Sequence, residues 1–120
     1  MEYEYHNLGN DYYKLGDYQK AVDHYTKAID LKPDMLESYF NRGLAYTRLR
    51  EFPKAINDHD KAIELDPNLY EAYYTRGLLH EYMRDYEKAV QDYEAVLRMK
   101  PDYEEVREQR EIALRKKLDN

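Results

Sequence analysis

The sequence has 120 residues, with 19 Lys and Arg against 25 Asp and Glu for a net charge of −6, and it contains no cysteine and no tryptophan. That length suits one compact domain or a short repeat array, and the acidic balance argues against a general binder of nucleic acid or anionic membrane. The missing cysteine excludes a disulfide framework and any thiolate metal or redox site.

Leu, Ile, Val and Phe together supply only about a fifth of the chain, a fraction typical of disorder, but 15 tyrosines can bury large rings while their hydroxyls find partners. A folded chain with a tyrosine core is therefore expected. No apolar run is long enough for a membrane span or a secretory leader, so no membrane partner and a cytoplasmic location are expected.

Pro33, Pro67 and Pro101 stand 34 residues apart. The same step links Gly9, Gly43 and Gly77; Ala21, Ala55 and Ala89; Tyr5, Tyr39 and Tyr73; and Lys20, Lys54 and Lys88. One phase shared by five residue types defines three units, at about 2–35, 36–69 and 70–103, and a tail.

The first unit reads as two amphipathic helices broken at Gly16 and Asp17. In the second, Tyr39, Gly43, Tyr46 and Leu49 form one helical stripe, and the break falls at Arg50 and Glu51. Pro53 then sits where a first helical turn tolerates it. Ala55, Ile56, His59, Ala62 and Ile63 form the next stripe, which Asp66 and Pro67 end. The third unit breaks at Arg84 and Asp85. Turns this short make each helix pair antiparallel. The tail, about 102–118, is predicted as a helix with a thin apolar stripe of Val106, Ala113, Leu114 and Leu118, which closes the end of the array with a polar outer face. Arg115, Lys116 and Lys117 lie in its last turn, where cations suit the helix dipole.

Gly43 and Gly77 lie inside helices, where Gly costs about 1 kcal/mol against Ala. Their repetition in phase predicts close helix approach, with Ala21, Ala55 and Ala89 opposite the glycines.

The pattern resembles the tetratricopeptide repeat, whose signature is W-x2-L-G-x2-Y, then A-x3-F, an Ala and a Pro at period 34. Unit one carries Tyr5, Leu8, Gly9, Tyr12, Ala21, Tyr25, Ala28 and Pro33. Unit two carries Tyr39, Gly43, Tyr46, Ala55, Ala62 and Pro67, with Arg42 in place of Leu and His59 in place of the aromatic. Unit three carries Tyr73, Gly77, Ala89, Tyr93 and Pro101, with Arg76, His80 and Val96 as departures. The resemblance implies an all-α solenoid, a right-handed superhelix of three antiparallel helix hairpins in a single domain spanning 1–120, with a solvating C-terminal helix.

No phosphate loop, nucleophile elbow or H-E-x-x-H run is present. Asp58, His59 and Asp60 are adjacent on a helix, point in different directions and cannot converge on one ion. His59 shares the phase of Tyr25 and Tyr93 and reads as a packed ring; His80 shares the phase of Tyr12 and Tyr46; His24 falls in a polar phase and reads as solvated. The carboxylates show no isolated acid/base pair in an apolar setting. No enzyme activity, cofactor or metal is expected.

The resemblance implies a concave face lined by the first helix of each unit: His6, Asn7, Asn10, Tyr13 and Lys14; Phe40, Asn41, Leu44, Thr47 and Arg48; Tyr74, Thr75, Leu78, Glu81 and Tyr82. Phe40 with Leu44, and Tyr74 with Leu78, are i,i+4 pairs off the packed stripes, and an exposed apolar strip of that kind marks a partner site. Asn10 and Asn41 can donate to and accept from a peptide backbone. One subset of the family clamps terminal carboxylates of chaperone peptides. Asn10 and Asn41 match its pattern, but His6 replaces a Lys, and Glu71 and Thr75 stand where two cations belong. The expected function is a protein-interaction module of co-chaperone or adaptor type that binds an extended peptide or partner helix without a complete clamp. A self-associating scaffold and an engineered repeat without a ligand are the alternatives, and a monomer is the expected state.

Overall fold

The computed structural model describes residues 1–119, which form seven α-helices and no strand. They are α1 (Glu2–Lys14), α2 (Tyr18–Leu31), α3 (Leu36–Arg48), α4 (Phe52–Leu65), α5 (Tyr70–Tyr82), α6 (Tyr86–Met99) and α7 (Glu104–Asp119). Two compact units arise: α1–α4 in Met1–Pro67, and α5–α7 beginning at Asn68.

Each hairpin turns by the same device. Gly16, Arg50 and Arg84 adopt left-handed backbone, with φ of 81°, 61° and 65°. The amide after each reaches back to the preceding helix, from Asp17 to the Tyr12 carbonyl at 2.9 Å, Glu51 to Tyr46 at 2.9 Å and Asp85 to His80 at 2.8 Å. A second bond runs from Gly16 N–H to Tyr13, Arg50 to Thr47 and Arg84 to Glu81, each at 3.0 Å. This double closure satisfies carbonyls that a helix end leaves open. Asp17 and Asp85 then cap α2 and α6, their carboxylates accepting the amides of Lys20 and Lys88 at 3.2 Å.

In the first unit Ala21, Val22, Tyr25 and Ala45 are buried, with Tyr12, Tyr13, Tyr18, Tyr46 and Leu49 packed around them. In the second, Ala89, Val90, Tyr93, Val96, Val106 and Ala113 are buried beneath Tyr70, Tyr73, Tyr74 and Tyr103. The tyrosine-rich core is thus real. Val106 and Ala113 attach α7 as the tail pattern predicts, whereas Leu118 projects into solvent, 83% exposed.

The glycines mark close approach, and the atoms nearest to each belong to an aromatic ring. A Cβ on Gly9 would lie 2.5 Å from the Tyr25 ring, one on Gly43 2.9 Å from His59, and one on Gly77 2.7 Å from Tyr93. The aromatic ring of the following helix lies over each glycine and supplies its nearest atoms, and Ala21, Ala55 and Ala89 are fully buried in the same hairpins. Rings need more room than a methyl group, so removing the side chain on the facing helix is the way to seat them. His59 is a sealed ring, as its phase predicts. His24 is not merely solvated: its Nδ1 bonds the Lys20 carbonyl at 2.8 Å and its ring lies 5.0 Å from Tyr12. Arg42 and Arg76, which break the repeat signature, make ion pairs with Asp58 and Asp92 inside their hairpins.

Candidate functional site

Helical spacing puts His6, Asn10, Tyr13 and Lys14 on one face of α1, and Phe40, Asn41, Leu44 and Arg48 on one face of α3. Both faces border a cavity of about 260 Å³ lined by Asn10, Tyr13, Lys14, Leu44, Asn41 and Tyr25 of α2.

A polar network runs along its floor. The Tyr25 hydroxyl donates to Asn10 Oδ1 at 2.5 Å, and Asn41 Nδ2 donates to the same oxygen at 3.1 Å. Asn10 Nδ2 is 3.3 Å from His6 Nε2, and His6 Nδ1 is 2.8 Å from Ser38 Oγ. Burial raises the Tyr25 phenol to about 12, helped by nearby Tyr13 and opposed by the Asn41 hydrogen bond. Burial likewise lowers His6 below the ordinary imidazole value, against the pull of Glu37. At neutral pH the floor is therefore uncharged.

The rim is cationic. Lys14 is exposed at the mouth, and Arg48 Nε donates to the Tyr13 hydroxyl at 3.4 Å, with its guanidinium 5.9 Å from the Tyr18 ring. Apolar walls, amide N–H donors and a positive rim suit a peptide carbonyl or carboxylate with an apolar neighbour. Phe40 is turned away from this cavity's lining: half-buried, it meets the His59 ring edge-on at 5.2 Å.

In the second unit, Leu78, Glu81 and Tyr82 border a cavity of about 380 Å³ with Arg84, Tyr86 and Lys116. Glu81 is already engaged, accepting the Tyr93 hydroxyl at 2.7 Å and Lys116 Nζ at 3.3 Å. Burial first, then Glu81, drives the Tyr93 phenol far upward. Tyr74 lies 6.0 Å from Tyr103 and bonds Glu105 at 3.3 Å, so it braces α7. Thr75 gives its hydroxyl to the Glu71 carbonyl at 2.7 Å, a bond within its own helix.

Two participants escape sequence reasoning. Tyr25 reads as a packed ring, and nothing in its spacing announces that its hydroxyl meets Asn10. Ser38 carries no motif at all, and its role appears only once α3 lies against α1. Asp58, His59 and Asp60 diverge as their adjacency predicts, Asp58 toward Arg42 and His59 toward Gly43.

Family comparison gives two matching models, one described as TPR repeat over residues 9–49 and one as tetratricopeptide repeat over 36–69 and 70–103. No curated protein sequence matches the chain. Among solved structures, the first TPR of Spaghetti (RPAP3) bound to the HSP90 peptide SRMEEVD is 32% identical, with 95% of this chain and 90% of that chain covered at a TM-score of 0.88. MamA is 27% identical, covering 97% of this chain and 68% of that one at 0.92. A yeast structure, the complex of the Sti1 TPR2B domain with pHsp70, is 28% identical over 95% of this chain and 96% of that one at 0.86.

Proposed function

The chain belongs to the tetratricopeptide repeat family, and from that premise we propose that it is a protein-interaction module whose α1–α3 cleft holds an extended segment of a partner. The convergence of Asn10, Asn41 and Lys14 on a cavity walled by Tyr13, Tyr25 and Leu44 carries this reading. The similar structures with an HSP90 peptide and with pHsp70 support a co-chaperone or adaptor type of role. The bound element is an extended strand, because paired amides hold backbone carbonyls without reading side chains.

A full carboxylate clamp is not part of the proposal. His6 is neutral at pH 7, Thr75 is bonded to its own helix, and Glu71 brings a negative charge where a carboxylate would have to sit. A terminal peptide such as SRMEEVD should therefore bind this chain poorly, and ligands with one acidic group near Lys14 and Arg48 should bind better.

Selection from a random peptide display library against the wild type and Leu44→Glu tests the reading. Peptides enriched on the wild type should be lost from the variant, and Asn41→Ala should weaken them by about tenfold, the weight of one hydrogen bond. Equal capture by the folded Leu44→Glu variant would place the binding surface elsewhere.

A further inference from the structure

With the Asn10 and Asn41 amides oriented as in the structure, the hydrogen bonds around His6 admit one arrangement of protons. Asn10 Oδ1 receives both the Tyr25 hydroxyl and the Asn41 amide, so the nitrogen end of the Asn10 amide is the end turned toward His6. His6 Nε2 must then be the acceptor, and the ring proton sits on Nδ1, donated to Ser38 Oγ. One Asn10 N–H is engaged by His6; the other is the donor that Asn10 presents to the cleft.

We propose that His6 is the positioning residue of this cleft: its neutral ring fixes the Asn10 amide with a donor toward the ligand, and a second proton on the ring turns that amide and withdraws the donor. The inference rests on the cleft being the peptide site. An imidazolium carries N–H on both nitrogens, so Asn10 would face it donor to donor. Turning the Asn10 amide satisfies His6 but sets its nitrogen against the Asn41 N–H. The Tyr25 hydroxyl can rotate to accept; Asn41 must turn as well. A proton on α1 is thus felt on α3, and the floor of the cleft exchanges donors for acceptors.

The groups facing His6 are few. From α2 comes the Tyr25 ring, 5.6 Å away, and from α3 come Ser38 and the carboxylate of Glu37, which favours the charged ring. Burial outweighs Glu37 and holds the ring's pKa below the ordinary imidazole value.

The test begins without any ligand. In ¹⁵N-labelled protein titrated from about pH 7.5 to about pH 5, across the range where imidazoles ionise, the His6 ring should show the Nδ1–H tautomer at the start. It should titrate below 6.5, with the side-chain amide signals of Asn10 and Asn41 moving at the same midpoint. In His6→Gln, whose carbonyl can accept the Asn10 N–H at any pH, both amide signals should stay still. A ring that titrates while both amides remain fixed, or amides that still titrate in His6→Gln, would overturn the proposal.

The second measurement uses the strongest peptide selected on the cleft at neutral pH. Its affinity should fall by about tenfold on acidification of the wild type, one hydrogen bond's worth, and should be independent of pH in His6→Gln whatever its level. Undiminished binding while the amides turn would overturn the gating. If no peptide is selected, the functional reading fails, while the amide titration still decides the role of His6.

Discussion

Arg42 holds Asp58 by two parallel hydrogen bonds, Nε to Oδ2 at 2.8 Å and Nη2 to Oδ1 at 2.7 Å, while its third nitrogen reaches Thr26 at 3.1 Å. Thirty-four residues on, Arg76 takes Asp92 in the same way at 3.0 and 2.7 Å. Burial disfavours the Arg42 cation, but the bond and charge of Asp58 more than offset it and leave its pKa raised. The first hairpin has no such pair: Leu8 and His24 stand in those two phases.

That internal comparison supplies a prediction. Arg42→Leu alone leaves the Asp58 carboxylate, 6% exposed, without its counter-ion, and should cost about 3 kcal/mol of stability. Arg42→Leu with Asp58→His reproduces the combination of the first hairpin and should recover most of the loss, to within about 1 kcal/mol of wild type. Urea unfolding of the two variants measures both values. Equal destabilisation by the single and the double change would mean that packing, rather than the unmatched charge, dominates.

The left-handed turn position gives a second prediction. Gly16 occupies it at no steric cost, but Arg84 adopts φ of 65° with a side chain attached. Arg84→Gly should stabilise the protein by roughly 0.5–1 kcal/mol, a rise of a few degrees in melting temperature. Gly16→Ala should move it by a similar amount in the other direction. Calorimetric melts of both variants decide the matter, and a fall in Tm for Arg84→Gly would refute the claim of strain.

A third prediction concerns the start of α4. Glu51 has φ −95° and ψ 69°, close to Asp17 at −92° and 78° and Asp85 at −92° and 76°. Only the two aspartates cap their helices; the longer Glu51 side chain pairs with Lys54 at 3.3 Å instead. Glu51→Asp should install the missing cap and add about 0.5–1 kcal/mol. Chemical unfolding should show a higher midpoint with an unchanged slope.

The helices and their period were legible in the sequence because proline, glycine and alanine act locally: each constrains its own backbone or its own contact wherever it sits. Contacts made across a hairpin were not. The glycines announced a close approach but not that the ring atoms of Tyr25, His59 and Tyr93 would come nearest. Arg42 and Arg76 looked like lapses in the repeat signature, since an Arg and an Asp sixteen residues apart meet only when the hairpin has closed. On the α1–α3 face, the family resemblance implied Asn10, Asn41, Lys14 and Leu44 as concave positions, and all four line the cavity there. It left out the engagement of Asn10 by Tyr25 and of Glu81 by Tyr93 and Lys116, because a side chain's polar atoms find partners in three dimensions.

The sealing of Tyr25 and Tyr93, 1% and 0% exposed, makes the chain its own optical gauge. Without tryptophan, near-ultraviolet absorbance and emission come from the phenols. For Tyr25 the folded value exceeds the unfolded one, so its contribution to stability is complete below pH 10 and disappears as alkalinity climbs toward about 12. Hydroxide therefore captures these two phenols largely by way of opened hairpins, and within the colour of the 15 tyrosines the late component that belongs to Tyr25 and Tyr93 follows the opening of their units in an unlabelled sample.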